Sequence, residues 1–228
     1  MGSSLRILSA NLASGRADSE AFAELLRRCE PDVVAVQELT PCHADVLAQI
    51  LPYGELHPNF EYTGMGIALR RPARLGRVPL NYRDACVAQL ETADWPDLPR
   101  AVEILNVHIA APHTWPPWSQ TLRRHRQVSG LLSYTEAEPD RTRAIVGDFN
   151  ATPLWPVYHR IARRFDDLAS LHAGARGGRP AATWPRRPRG PLIRIDHAFG
   201  SGLMAESVEV VDLPGSDHYA LVLDLTLT

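Results

Sequence analysis

The chain has 228 residues, of which 45% are apolar and 22% charged, with a formal net charge of −2. This is the composition of an ordinary soluble globular protein, and it gives no global electrostatic pull toward nucleic acid or an anionic membrane. All 24 basic residues are arginine, so no lysine can act as nucleophile, base or Schiff-base former.

Cys29, Cys42 and Cys86 have neither disulfide-framework nor zinc-type spacing, which makes a reducing compartment the default. No apolar run approaches the ~20 residues of a membrane span, and no basic-then-apolar leader opens the chain. The expectation is a soluble, cytoplasmic, monomeric protein built as one domain over residues 1–228, without stable membrane insertion.

In chain order, Leu5–Ala10 reads as a strand that delivers Asn11 at its end. Residues 18–28 carry Phe22, Leu25 and Leu26 at helical spacing, with Asp18 or Ser19 placed to cap. "VVAVQEL" is an apolar strand ending in Gln37 and Glu38, and Thr40 caps a second helix that runs to about Ile50 before Pro52. "GMGIALR", "ACVAQLE" and "AVEILNVHI" follow as strands, then a helix from Ser119 to Tyr134. A strand at 143–147, a short helix near 154–164 and the late strands "PLIRIDHAFG", "ESVEVVDL" and "YALVLDLTL" complete the set, with 173–191 as a loose excursion loop. Consecutive strands between 64 and 108 imply hairpins and mixed sheets, so the layout suits an α+β four-layer sandwich of two packed sheets with helices outside.

"AIVGDFNATP" at 144–153 poses the functional question, because Asp148 and Asn150 lie two residues apart where an apolar strand stops. Gly, Asp and Asn also form turns, and a turn alone would account for them. The pattern recurs, however: other strands end in Asn11, Glu38, His108 and Asp196, and "GSDH" at 215–218 precedes the last strand. Hydrolysis of a phosphodiester explains the set jointly, since it needs stabilised negative charge, an activated water and help for the leaving oxygen. Glu38 and Asp217 offer oxygen ligands suited to a hard cation such as Mg²⁺. Asp148 can orient and deprotonate water, Asn150 can hold it or a phosphoryl oxygen, and Asp196 can fix the orientation of His218.

The ordered set Asn11, Gln37-Glu38, His108, Gly147-Asp148-Phe149-Asn150, Ile195-Asp196-His197 and Ser216-Asp217-His218 resembles the endonuclease/exonuclease/phosphatase family, from residue 5 to about 227. The resemblance implies the four-layer fold, a divalent metal (Mg²⁺, with Mn²⁺ as the alternative) held by Glu38 with Asn11 and Asp217 close by, and water handled by Asp148 with Asn150. It also implies that His218, backed by Asp196, and His108 bind the scissile phosphate. Whether one or two metals act, and which histidine protonates the leaving group, stay open.

Two departures separate the chain from the abasic-site branch. Ala13 stands where that branch carries Asp, and "HIAAP" stands where it carries a Tyr-x-Pro-Asn block. The Trp-Cys-Asp-Arg block of inositol 5-phosphatases is also missing, and "IRIDHAF" occupies its place. For substrate contacts, Trp115 and Trp118 on a Pro-rich loop and Arg187 and Arg194 before the Asp196 strand are the candidates. The expected substrate is nucleic acid, with lipid headgroups or small phosphate esters as the alternative and a non-catalytic binding module as the third reading.

Overall fold

The computed structural model describes residues 4–112, 117–187 and 189–228, without the side chains of 117–119. Its elements are β1 (Leu5–Asn11), α1 (Ser19–Cys29), β2 (Val33–Gln37), α2 (Pro41–Ile50), β3 (Tyr53–His57), β4 (Met65–Leu69), β5 (Arg74–Val78), β6 (Ala85–Leu90) and β7 (Val102–His108). There follow α3 (Pro117–Glu136), β8 (Arg143–Asp148), α4 (Pro156–Ala162), β9 (Asp166–Asp167), α5 (Leu168–Ala175), β10 (Asp196–Ser201), β11 (Leu203–Val211) and β12 (Ala220–Leu227).

Two mixed six-stranded sheets result, ordered β11-β12-β1-β2-β4-β3 and β5-β6-β7-β8-β10-β9. Each contains one parallel pair, β1 with β2 and β7 with β8. Alternation along the strands sorts the apolar residues into three cores. Ile7, Val33, Ala35, Ile67, Ile104, Val146 and Ala198 pack between the sheets. Leu8, Val34 and Val36 face Phe22, Leu26 and Leu47 of α1 and α2 on one outer side. Leu105, Ile145 and Phe199 face Val128, Leu131 and Ile161 of α3 and α4 on the other. The four-layer α+β sandwich anticipated from the sequence is therefore the fold.

Asp18 caps α1 by accepting from the backbone N–H groups of Glu20 and Ala21, both at 2.9 Å. β3, β5, α5 and the two-residue β9 carry no clear sequence signal. β3 and β5 are edge strands with part-exposed side chains and only one or two packed apolar residues each, so neither shows a clear hydrophobic alternation. α5 occupies residues 168–175, where the sequence predicts loop from residue 173 and no element just before it. The strand expected from residue 191 begins only at Asp196, and a single bridge joins Ile193 to Trp184 ahead of it.

Toward one end of the sandwich the residues facing between the sheets change from apolar to polar. Gln37 donates to Asn106 Oδ1 at 2.6 Å across the inter-sheet gap. Asn106 in turn donates to the carbonyls of Val36 and Gly66, both at 2.9 Å. This layer closes the apolar core and forms the base of the site above it.

Candidate active site

Sheet register builds the first row. His108 lies opposite Asp148 in the parallel β7–β8 pair, and Asp196 lies opposite Asp148 in the antiparallel β8–β10 pair. Paired residues share a face, so the three side chains stand side by side on three adjacent strands. Gly147 makes that register attainable. Its φ is +137°, and a Cβ there would sit 2.0 Å from the Val107 carbonyl oxygen. The facing sheet supplies Asn11 at the end of β1, Glu38 after β2, and Asp217 with His218 in the loop ahead of β12.

Asp148 is buried and saturated with donors. Its Oδ1 accepts from the Asn150 backbone N–H at 2.7 Å, and its Oδ2 from Asn150 Nδ2 at 2.9 Å and Asn11 Nδ2 at 3.1 Å. Burial raises its pKa, with the His218 charge opposing and the Asp196 charge adding to the rise. His218 Nδ1 meets both Asp196 oxygens, at 3.1 and 3.0 Å, and its Nε2 lies 3.9 Å from Asp148 Oδ2. Burial alone would lower the His218 pKa, but the charge and hydrogen bond of Asp196 outweigh it and raise the value. Thr183 fixes Asp196 by donating to its Oδ2 at 2.6 Å while accepting from the Ile195 and Asp196 backbone N–H groups.

His108 has the opposite character. Its Nε2 lies 3.6 Å from Asp148 Oδ2 and 3.9 Å from Glu38 Oε1. Complete burial, then the positive charges of Arg83 and His218, hold its pKa well below the ordinary histidine value. Burial thus favours the uncharged form of an imidazole that stands beside two carboxylates. Gln127 of α3 fixes the backbone here, donating to the His108 carbonyl and accepting from the Ala110 N–H.

Glu38 accepts from Ser14 Oγ at 2.9 Å and from Asn11 Nδ2 at 3.3 Å. Asn11 Oδ1 is taken by the Ala13 N–H at 2.9 Å, so Asn11 presents N–H rather than oxygen to the carboxylates. Asp217 is engaged at both oxygens, by Arg16 Nη2 at 2.9 Å and Trp184 Nε1 at 3.3 Å. Ala13, Ser14, Glu38 and Asn150 all have φ between 47° and 55°, an uncommon region for residues with a side chain. Backbone strain is thus concentrated where the polar side chains converge.

These groups floor a cavity of about 600 Å³. Tyr62, Tyr82, Trp155 and Trp184 wall it, and Arg16 and Arg83 carry positive charge into it. Among the described residues, Asp148, Asp196 and His218 form a buried group whose metal-capable atoms lie within 4.8 Å of one another. Those three already hydrogen-bond to one another or to Asn11 and Asn150. Glu38 is different: a hard oxygen donor at the cavity with only a hydroxyl and an amide as partners. The donor set therefore fits a hard divalent cation at Glu38.

A family model described as "Endonuclease/Exonuclease/phosphatase family" matches residues 8–218. The chain belongs to the endonuclease/exonuclease/phosphatase family. No curated protein sequence matches it. Solved structures of similar fold include a humanized D. rerio TDP2 with 14 mutations, at TM-score 0.76 and 17% identity, covering 99% of this chain and 100% of that one. The human Nocturnin catalytic domain with bound sulfate anion aligns at TM-score 0.72 and 18% identity, over 100% and 96% of the two chains. An endonuclease/exonuclease/phosphatase from Bacteroides vulgatus aligns at TM-score 0.75 and 16% identity, over 99% of each. Membership of this family makes the protein a phosphoric ester hydrolase in the broad sense.

Within that family fold, Asn11, Glu38, His108, Asp148, Asn150, Asp196, Asp217 and His218 converge as the sequence suggested. The expected substrate contacts do not all join them. Arg194 is a correction: it is buried in a two-pronged pair with Asp167, at 3.0 and 2.6 Å, and does not line the cavity. Arg187 is exposed and also lies outside the cavity wall. Trp115 lies outside the described residues, as does the side chain of Trp118. The aromatic walls come instead from loops with no distinguishing motif, and Arg83 was missed because "NYRD" reads only as a turn before a strand. No helix among the described residues is long and apolar enough to cross a membrane.

Proposed function

We propose that the protein is a Mg²⁺- or Mn²⁺-dependent phosphodiester hydrolase acting on nucleic acid. One observation carries the reading: the buried Asp148 carboxylate, the Asp196-backed His218 and the buried His108 converge within 4 Å contacts at the floor of an aromatic-walled cavity. Glu38 would hold the cation, with Asn11 and Ser14 fixing its carboxylate and Asp217 near the opposite wall. Bound there, the cation would supply positive charge to a phosphoryl oxygen.

The protein's own groups account for the rest. Asp148, with a raised pKa and three donors setting its orientation, accepts the proton of the attacking water. Asn150 holds that water or a phosphoryl oxygen. His218, kept protonated by Asp196, places positive charge where negative charge builds in the transition state. Tyr62 and Trp184 offer flat faces on which bases stack, worth ~1–3 kcal/mol per base, while Tyr82 and Trp155 already carry arginines over their rings.

The test is nicking of supercoiled plasmid and hydrolysis of bis(4-nitrophenyl) phosphate with Mg²⁺ or Mn²⁺, beside EDTA and Asp148→Ala. Activity abolished by both treatments supports the reading, and activity that survives EDTA contradicts it. A second reading, a lipid-headgroup esterase, is favoured by exposed Phe60, Leu154 and Leu192 close in sequence to the cavity residues Tyr62, Trp155 and Ile193. Intact plasmid and oligonucleotides together with headgroup release from phospholipid vesicles would decide for it.

A further inference from the structure

Arg83 is unusual among the arginines of this protein. Its Nε and Nη1 are shut off from solvent with no hydrogen-bond partner, and among the described residues it forms no ion pair. Two unsatisfied, solvent-shielded donors on a half-buried cation are costly until an acceptor arrives. The guanidinium carbon lies over the Tyr82 ring at 5.5 Å from the centroid and the guanidinium also hydrogen-bonds the Tyr82 side chain, but Nε and Nη1 stay without a partner. Glu38 and Asp148 are near enough for their charges to act on Arg83, yet neither bonds it. Two free donors on a cation suit an anion.

Arg83 and Tyr82 also line a second cavity of about 760 Å³, so they are the shared wall between it and the catalytic one. The second cavity lies by the edge strands β3 and β5 and is lined by His57, Asn59, Thr63, Arg77 and Asp84 among others. Each of the two volumes is of a size that takes a nucleotide-like group. Arg77 is paired with Asp84 at 2.7 Å and His57 with Glu55 at 2.6 Å, which leaves Arg83 as the unpaired cation at the junction. Cys86, whose thiol burial pushes up to about 12, adds no reactivity there.

We infer that the second cavity is a subsite for a nucleotide one step beyond the pair joined by the scissile phosphate, and that Arg83 binds the intervening, non-scissile phosphate at the junction. This deepens, and rests on, the nucleic-acid reading above. A planar five-donor cation is the side chain suited to gripping a phosphate by two oxygens at once. A chain that continues past Tyr82 gains contacts that a single small ester cannot reach. The substrate is accordingly a strand of several nucleotides, and length is part of what the protein reads.

The experiment compares kcat/KM for bis(4-nitrophenyl) phosphate, a thymidine dinucleotide and a single-stranded thymidine pentanucleotide. In the unaltered protein the pentanucleotide is expected to exceed the dinucleotide by about tenfold or more, chiefly through KM. Arg83→Gln cuts pentanucleotide hydrolysis about 10- to 100-fold more than it cuts the small ester, and Arg83→Lys recovers part of the loss. Thr63→Trp, at an exposed position on the second cavity, removes the length advantage by filling it. Anisotropy of a labelled pentanucleotide in EDTA reads binding without turnover, and Arg83→Gln weakens it about tenfold. Equal turnover of dinucleotide and pentanucleotide, or an Arg83→Gln defect equal on all three substrates with unchanged anisotropy, overturns the inference alone. Inertness toward all three substrates removes the functional reading and the inference with it.

Discussion

Replacing Arg194 separates a structural role from a substrate-binding one. Its guanidinium forks onto both oxygens of Asp167, and that carboxylate also accepts from Tyr158 Oη at 2.5 Å, Ser170 Oγ at 2.9 Å and the Ser170 N–H at 3.0 Å. Arg194→Ala leaves a buried carboxylate without its cation, at a cost of about 3–5 kcal/mol. In a chain of this size that lowers the melting temperature by roughly 10 °C. The charge-neutral pair Arg194→Met with Asp167→Asn recovers much of the loss.

Acid probes the same pair without mutation. Burial would raise the Asp167 pKa, but the hydrogen bonds and charge of Arg194 more than offset it and bring it from 3.8 to about 2. A carboxylate depressed on folding contributes stability above its unfolded pKa, and that contribution is lost as pH falls from about 4 through 2. The shift amounts to about 2 kcal/mol. Urea melts followed by circular dichroism at pH 2–6 measure both effects. The reasoning fails if Arg194→Ala melts like the unaltered protein while its KM for an oligonucleotide rises tenfold.

His197 gives a second, separate pH window. Burial, then the Arg194 charge, holds its pKa near 4, with Nε2 on the Ala151 carbonyl at 2.7 Å. The unfolded chain takes up a proton first, so stability falls by about 3 kcal/mol as pH drops from 6.5 to 4; His197→Gln should flatten thermal melts across that range. Gly147→Ala places a methyl group against the Val107 carbonyl and is expected to cost about 3 kcal/mol or more, with hydrolysis lost through displacement of Asp148. Chemical denaturation and small-ester turnover read the two losses in parallel.

The row across β7, β8 and β10 was legible because buried strands that stop on His108 and Asp148 have no packing reason to do so, whereas Asp196, expected at a strand's end, opens β10 instead. The facing sheet's contribution was legible in Asn11 and Glu38 where strands stop, and in "GSDH" ahead of the last strand. The edge strands β3 and β5 were not, since each packs only one or two apolar side chains, Leu56 in β3 and Leu75 and Val78 in β5, too few to show an alternation. Arg194 misled the reading because a pair with Asp167, 27 residues earlier, leaves no trace in local sequence. Tyr62, Tyr82, Arg83 and Trp155 stayed hidden because loop residues become neighbours only through the packing of elements far apart in the chain. Their function lies in where the fold leaves them, not in the residues beside them.

The division of the site between the sheets makes hydrolysis a reporter of tertiary assembly. Asn11, Glu38, Asp217 and His218 ride on the sheet that holds both ends of the described chain, whereas His108, Asp148, Asn150 and Asp196 ride on the other. A collapsed state with native strands but a loosened inter-sheet core would keep its far-ultraviolet spectrum and lose its chemistry. Turnover during refolding therefore times the moment the two halves lock together, and it stays silent about the formation of either half.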